Sequence, residues 1–301
     1  MKLTYHSGKN FGDALNPLIF NHFMGFNILN ESSDVELLGI GTILGLKQSP
    51  LPKVVFSSGC SDNEATYGSV PVLDERYDIR CVRGPLTAKA LNLPPSTAVT
   101  DGAVLVREVL PRCVEAVPGK IGFIPHHKSL DFYPYWSQIA QTCGLNFLDV
   151  REEPKSFIQK LWQCEVVITE AMHGAIVADT YGIPWIPIKL YPHINSFKWM
   201  DWSLSVGIEI QFLNSPVRLH TSNFFMQLMI KRRLPRLISQ TLAPLLLRWR
   251  IHRIVRWLKT TSQAEPYLSN RSHLDSLITE LQARLETIKC DYMAEPAISN
   301  E

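Results

Sequence analysis

Short apolar runs, each followed by a turn and a helix-forming stretch, recur through the first two-thirds of the chain. This alternation limits the fold more than any other feature. In the N-terminal part the runs fall at residues 3–6, 35–40, 54–58 and 79–82, with helices predicted over 13–26 and 85–91. Pro85 takes the first position of the second helix, where its missing N–H does no harm, and Pro94 and Pro95 close it. A second set begins after Pro118 and Gly119, with strands at 121–124, 146–149, 166–169 and 184–188 and helices at 132–143, 154–163 and 171–181. Runs this short and apolar suit strands buried on both faces, and their alternation with helices gives parallel sheets covered on both sides. The predicted fold class is α/β, with two Rossmann-like halves at residues 1–115 and 116–216 and a cleft between them. Ligands of such folds bind beyond the carboxyl ends of the strands, so the loops that follow strands are the place to look for chemistry.

From residue 217 to 301 the pattern is helical only. Between Thr221 and Thr260 stand Lys231, Arg232, Arg233, Arg236, Arg248, Arg250, Arg253, Arg256 and Lys259, with no acidic residue. Phe224, Phe225, Leu245, Leu246, Leu247, Trp249 and Trp257 are interleaved, and Pro235 and Pro244 are predicted to break the stretch into pieces. Leu274, Leu277, Ile278, Leu281 and Leu285 then mark one face of an amphipathic helix over 274–288. The formal net charge is only +2, so the chain as a whole is no polyanion binder. The basic stretch reads either as a contact for an anionic membrane surface or as helices packed on the sheets with Arg stems as cover. No nucleic-acid reader motif accompanies the charge, so nucleic acid is not an expected partner. A content of 46% hydrophobic and 19% charged residues is that of a folded globular chain. No run reaches the roughly 18 apolar residues of a spanning helix, and the N-terminus shows no signal-peptide core. The expected location is the cytoplasm, with the inner face of the plasma membrane as the place for the basic stretch. The six cysteines include no C-x-x-C pair and are expected to be buried reduced thiols.

Several strand-end loops carry candidate residues. In residues 166–179, Thr169 is a candidate N-cap, and Ala171, Gly174, Ala175 and Ala178 keep the following helix slim. His173 then falls in the first turn, near unpaired N–H groups that favour an anion. The helix dipole lowers its pKa and a bound phosphate raises it, so it suits proton transfer near neutral pH; the alternative is a packed core histidine. Arg83 stands before Gly84 at another strand-to-helix turn, where its guanidinium can fork onto a carboxylate or phosphate; the alternative is a salt bridge. The loop at residues 8–16 offers Asn10, Asp13 and Asn16 as partners for sugar hydroxyls around Gly12, and lacks both the Walker and the G-x-G-x-x-G patterns. Gly41 and Thr42 follow the strand at 35–40, and tight turns explain them equally well. His126, His127 and Lys128 follow the strand at 121–124. Adjacent histidines are poor metal ligands, so one is read as pointing into the cleft and no metal is expected. Lys189, His193, Lys198, Asp201 and Trp202 mix charge with an aromatic platform, as sugar sites do, or form a solvated helix face.

Taken in order, Asn10-Phe-Gly-Asp13, Gly39-Ile-Gly-Thr42, Val82-Arg-Gly-Pro-Leu-Thr87, Thr100-Asp-Gly-Ala103, Ile124-Pro-His126 and Thr169-Glu-Ala-Met-His-Gly-Ala175 resemble the polysaccharide pyruvyl transferase family. The likeness covers roughly residues 1–215, and Glu170 to His173 is most similar to the branch of the succinoglycan ketal-forming transferases. It implies a GT-B-like fold, phosphoenolpyruvate as donor substrate with no further cofactor, and a sugar of an exopolysaccharide or lipid-linked glycan as acceptor. It implies His173 as general acid or donor to the leaving phosphate, Arg83 as a clamp on the donor, and Asp13 and His126 on the acceptor. Asn10, Gly12, Gly41, Thr42, Gly84, Glu170, Met172, Gly174 and Lys189 would line the substrates. Many members of the family carry Arg-Leu-His where this chain has Ala171, Met172 and His173. The missing cation points to Arg83 and Lys189 as substitutes. Two alternatives stand beside this reading: a sugar-nucleotide glycosyltransferase of the same fold, and a non-catalytic, membrane-docked component of a polysaccharide assembly complex.

Overall fold

The structure, a computed structural model, describes residues 1–293 apart from 26–28, 30–32, 47–48 and 233–235. The first half runs β1 (Lys2–Thr4), α1 (Phe11–Met24), β2 (Glu36–Leu38), β3 (Lys53–Ser58), α2 (Glu64–Tyr67), β4 (Tyr77–Val82) and α3 (Pro85–Ala90). A 3-10 turn (Gly102–Leu105) and α4 (Val106–Val109) follow. Its four strands are parallel, in the order β1-β2-β3-β4. Every residue of β2 and β3 is buried, as the continuous apolar runs demand. Helix α1 starts two residues before the predicted 13, because the Asn10 side chain accepts the Gly12 N–H and caps it. It ends at Gly25, whose φ of 72° suits a residue without Cβ; Phe26, the predicted last residue, lies outside the described residues.

The second half runs β5 (Ile121–Ile124), α5 (His127–Phe132), α6 (Trp136–Cys143), β6 (Asn146–Phe147), α7 (Pro154–Trp162) and β7 (Val166–Thr169). It continues with α8 (Met172–Thr180), β8 (Trp185–Lys189), α9 (Ser196–Ser205) and β9 (Leu213–Asn214). These strands are also parallel, in the order β6-β5-β7-β8-β9. The helix predicted over 132–143 begins only at Trp136, because Pro134 holds the preceding Tyr133 extended. Thr169 does not cap α8; that position belongs to Ala171. The Thr169 hydroxyl instead accepts the Ala171 N–H and donates to the Ala171 carbonyl, tying the turn into the helix.

The C-terminal part contains α10 (Ser222–Lys231), α11 (Arg236–Thr261) and α12 (Arg271–Met293). Pro244 does not break α11, contrary to its sequence reading. The carbonyl that the missing Pro N–H leaves free belongs to Gln240, and both residues are exposed, so water can serve it. Pro235 and Arg233 lie outside the described residues. The second half of α11 sends Ile254 and Leu258 into the core. Helix α12 then returns to the first half. Arg284 donates to the carbonyls of Arg80 and Ser96 at 2.5 and 3.0 Å, Arg80 pairs with Asp291 at 2.6 Å, and Arg107 pairs with Asp275 at 2.6 Å. Its start is held by buried Asp179, which accepts from the Ser269 N–H, the Trp185 indole and Arg271. One apolar core therefore extends from Phe11 through both sheets to Ile288. Cys60, Cys81 and Cys164 are buried thiols, whereas Cys113 and Cys290 are exposed, against expectation. Among the described residues no helix is long and apolar enough to cross a membrane.

Candidate active site

The carboxyl ends of β1, β2, β5, β7 and β8 open on one cleft of about 310 Å³. The turn into α1 brings Asn10 and Asp13, the turn after β2 brings Gly41 and Thr42, and α2 brings Thr66 and Tyr67. Across the cleft stand His126, His127 and Lys128 at the start of α5, Ala171, Met172 and His173 at the start of α8, and Lys198 on α9. Cap geometry explains part of this. Asn10 caps α1, His126 caps α5 by accepting the Lys128 N–H, and Asn195 caps α9 by accepting the Lys198 N–H. Helix α8 has no side-chain cap, so its first N–H groups remain available to an anion.

His173 is 9% exposed and lies against α1. A Cβ on Gly12 would stand 2.0 Å from its Nδ1, so only glycine admits the ring there. On its other side Nε2 is 4.0 Å from Asp101 Oδ1, beyond hydrogen-bond reach. Nε2 and Asp101 Oδ2 are both buried without a partner. Burial pushes His173 down to about 4 and Asp101 up to about 6, since each loses the water that would solvate its charge. Asp101 caps the Gly102–Leu105 turn by accepting the Ala103 N–H. Sequence reading had it inside a motif but gave it no role.

Arg83 is placed differently from its predicted position on a ligand. It is completely buried. Nε binds Asp201 at 2.9 Å, Nη1 binds the Thr42 hydroxyl at 2.8 Å, and Nη2 binds the Cys60 carbonyl at 3.0 Å. Asp201 also accepts the Thr87 N–H and hydroxyl at 2.8 and 2.6 Å. This knot joins the halves, engages all three nitrogens of Arg83 and holds the side chain wholly buried. Gly84 serves the same contact, because a Cβ there would stand 1.9 Å from the Asp201 carbonyl oxygen.

Glu170 is likewise a buttress. One carboxylate oxygen accepts the N–H groups of Leu190 and Tyr191, and the other accepts the His126 N–H and the Ser129 hydroxyl. It thereby fixes the loops after β5 and β8 against each other. Burial pushes it up to about 7 although four donors oppose the shift. Gly174 packs behind the site, where a Cβ would meet the Thr169 hydroxyl at 2.6 Å.

Both histidines after β5 line the cleft, not one alone. His126 Nδ1 is 3.2 Å from His193 Nε2, and the His126 and His127 rings are 4.1 Å apart. Burial, then the charges of its neighbours, holds His126 well below its ordinary value; burial brings His193 down to about 4. Lys189, a predicted substitute cation, binds the Ser196 hydroxyl and covers the Phe212 ring. The cations that line the cleft are Lys128 and Lys198, the latter with Nζ 3.2 Å from the Tyr67 hydroxyl. Sequence analysis names Lys198 only within a mixed patch; it lies on α9, nine residues beyond Lys189 at the end of β8, and the sequence carries no signal of which faces inward. Among the described residues no three His, Cys, Asp or Glu side chains converge as metal ligands would.

Two parallel sheets of an α/β protein thus open at their strand ends onto one cleft lined by imidazoles, two lysines and the Asp13 carboxylate. The sequence profile of the polysaccharide pyruvyl transferases matches residues 38–190, and the chain belongs to that family. It is 35% identical over 213 residues, 69% of its length, to the succinoglycan biosynthesis protein ExoV of Rhizobium meliloti (strain 1021). The matched stretch spans 65% of that relative. No solved structure matches the chain.

Proposed function

We propose that the chain is a phosphoenolpyruvate-dependent pyruvyltransferase that builds a pyruvate ketal on a sugar of an exopolysaccharide or lipid-linked glycan. The observation that carries this reading is the buried His173–Asp101 pair at the uncapped start of α8, within the cleft. The cleft between the two sheets would act as in a GT-B-like enzyme.

The donor is a trianion. The α8 N-terminus, Lys198 and Lys128 supply fixed positive potential for it. Burial keeps His173 neutral near pH 7. A bound trianion raises its pKa, and a small turn of the ring brings Nε2 within reach of Asp101, which then holds the imidazolium. From Nδ1 the proton passes to the methylene carbon of the donor, leaving oxocarbenium character at the adjacent carbon. One sugar hydroxyl attacks there, phosphate leaves, and a second hydroxyl closes the ketal. The two hydroxyl protons balance the one added to carbon and the one leaving with phosphate. Asp13 and His126, which face the same space, accept the hydroxyl protons.

Phosphate release from phosphoenolpyruvate, with mass analysis of candidate glycan acceptors, tests the proposal. The expected result is one ketal per acceptor. Lys198→Ala is expected to raise KM for the donor at least tenfold, whereas Lys189→Ala leaves it unchanged. Nucleoside diphosphate release from a sugar nucleotide, with no use of phosphoenolpyruvate, would favour a glycosyltransferase instead.

A further inference from the structure

The outer face of α11 changes character along its length. Ile238, Leu242, Leu245 and Trp249 are exposed, Leu245 by 63% and Trp249 by 49%. Their spacing of four, three and four residues puts them on one stripe of the helix. Arg253, Arg256 and Thr260 continue the same stripe. On the opposite side Ser239, Ala243, Ile254 and Leu258 are buried. The stripe is therefore an outward face, apolar over about 17 Å at 1.5 Å per residue and basic beyond.

Helix α10 adds to the apolar end with exposed Phe224, Leu228 and Ile230. Among the described residues fifteen large hydrophobic side chains stand exposed, and seven of them lie between positions 224 and 249. Scattered exposed side chains are ordinary, but a concentration of this kind marks a contact surface. Beside the basic end is a hollow of about 340 Å³ lined by Pro216, His252, Arg253, Arg256, Trp257 and Thr260. Among the described residues no carboxylate pairs with Arg248, Arg253, Arg256 or Lys259, and none occurs in sequence between Thr221 and Ala264. Uncompensated cations next to exposed Leu and Trp match an anionic bilayer, which supplies phosphates for the one and an acyl boundary for the other.

The base of this hairpin is tied to the rest of the fold. Arg250 stacks on Phe225 at 4.8 Å and donates to the Arg218 carbonyl. From there aromatic contacts lead back to the cleft: Phe224 stacks on His220, His220 meets Phe132, and Phe132 meets His193, with ring centroids 4.2, 5.6 and 5.6 Å apart. We infer that the α10–α11 hairpin docks flat onto an anionic lipid bilayer, with the Ile238–Leu242–Leu245–Trp249 stripe in the acyl boundary and Arg253 and Arg256 on lipid phosphates. This inference is independent of the reaction that the cleft performs.

Co-sedimentation of the full chain with vesicles of phosphatidylcholine, with and without phosphatidylglycerol, tests it. The protein is expected to bind only the anionic vesicles and to be released in part by high salt, the apolar stripe holding the remainder. Arg253→Ala with Arg256→Ala is expected to weaken partitioning about thirtyfold, equivalent to about 1 kcal/mol for each cation near the surface. Leu242→Ser with Leu245→Ser is expected to abolish the salt-resistant part of binding, while both double variants keep the wild-type circular dichroism spectrum. Wild-type binding by both variants would overturn the inference. So would a dimer in solution that Leu245→Glu dissociates, with no binding to either vesicle, because a second copy would then be the occupant of the face.

Discussion

Gly12→Ala tests the closest contact in the site. The added methyl would lie 2.0 Å from Nδ1, 2.3 Å from Cγ and 2.7 Å from Cβ of His173. Ordinary contact begins near 3.4 Å, so the ring has to retreat by about 1.4 Å. Turning χ1 moves Nδ1 and Cγ but leaves Cβ where it is. Relief therefore requires α1 and α8 to part, and overpacking of that kind costs about 1–3 kcal/mol. A displacement of about 1 Å in a reacting group also costs on the order of a hundredfold in rate. The assay is a double-mutant cycle by urea unfolding with wild type, Gly12→Ala, His173→Gly and the double variant. The expected coupling is about 1–3 kcal/mol, because the methyl does no harm once the ring is gone. Phosphate release measured alongside is expected to fall about a hundredfold in Gly12→Ala. Equal destabilisation by Gly12→Ala in both backgrounds would refute the reasoning.

Two further outcomes follow from buried charge. Arg83→Ala strands Asp201 in a completely buried position and is expected to lower stability by about 3–5 kcal/mol, read from the urea midpoint in the absence of any substrate. A normal midpoint with impaired donor binding would return Arg83 to the role its sequence position suggested. His173 has a folded value of about 4 against an ordinary 6.5. The unfolded chain therefore binds the extra proton between those limits, and stability falls as pH drops from 6.5 towards 4, by about 3 kcal/mol in all. His173→Gln is expected to remove that acid-side loss when midpoints at pH 7.5 and 4.5 are compared; an unchanged pH dependence would show that the imidazole is not held neutral.

Much of the fold was legible because parallel strands buried on both faces leave an unmistakable run of apolar residues. The runs that became β3, β5 and β7 needed no tertiary information. Element ends were less legible, because caps decide them: Asn10 started α1 early and Pro134 delayed α6. Pro244 misled because the cost of a proline depends on whether water can reach the freed carbonyl. In the site, His173, Asp13 and His126 were recognisable from strand-end position, and they do face one cleft. Arg83 and Glu170 occupy equivalent chain positions but point into the protein, where Asp201 and the loops after β5 and β8 claim them. Asp101 faces His173 from 72 residues away. Only folding brings such partners together, so no local pattern announces them.

The return of α12 to the first half has a consequence in time. Asp291 meets Arg80, and Arg284 meets the carbonyls of Arg80 and Ser96, across more than 180 residues of chain. The same helix packs behind the turn that carries Asp101. During synthesis the strands of the first half leave the ribosome early, yet these partners arrive only after residue 271 has emerged. Domains made in this order fold from the N-terminus, and contacts of such long sequence separation form late. The packing behind the Asp101 turn is thus completed last, after both sheets have left the ribosome.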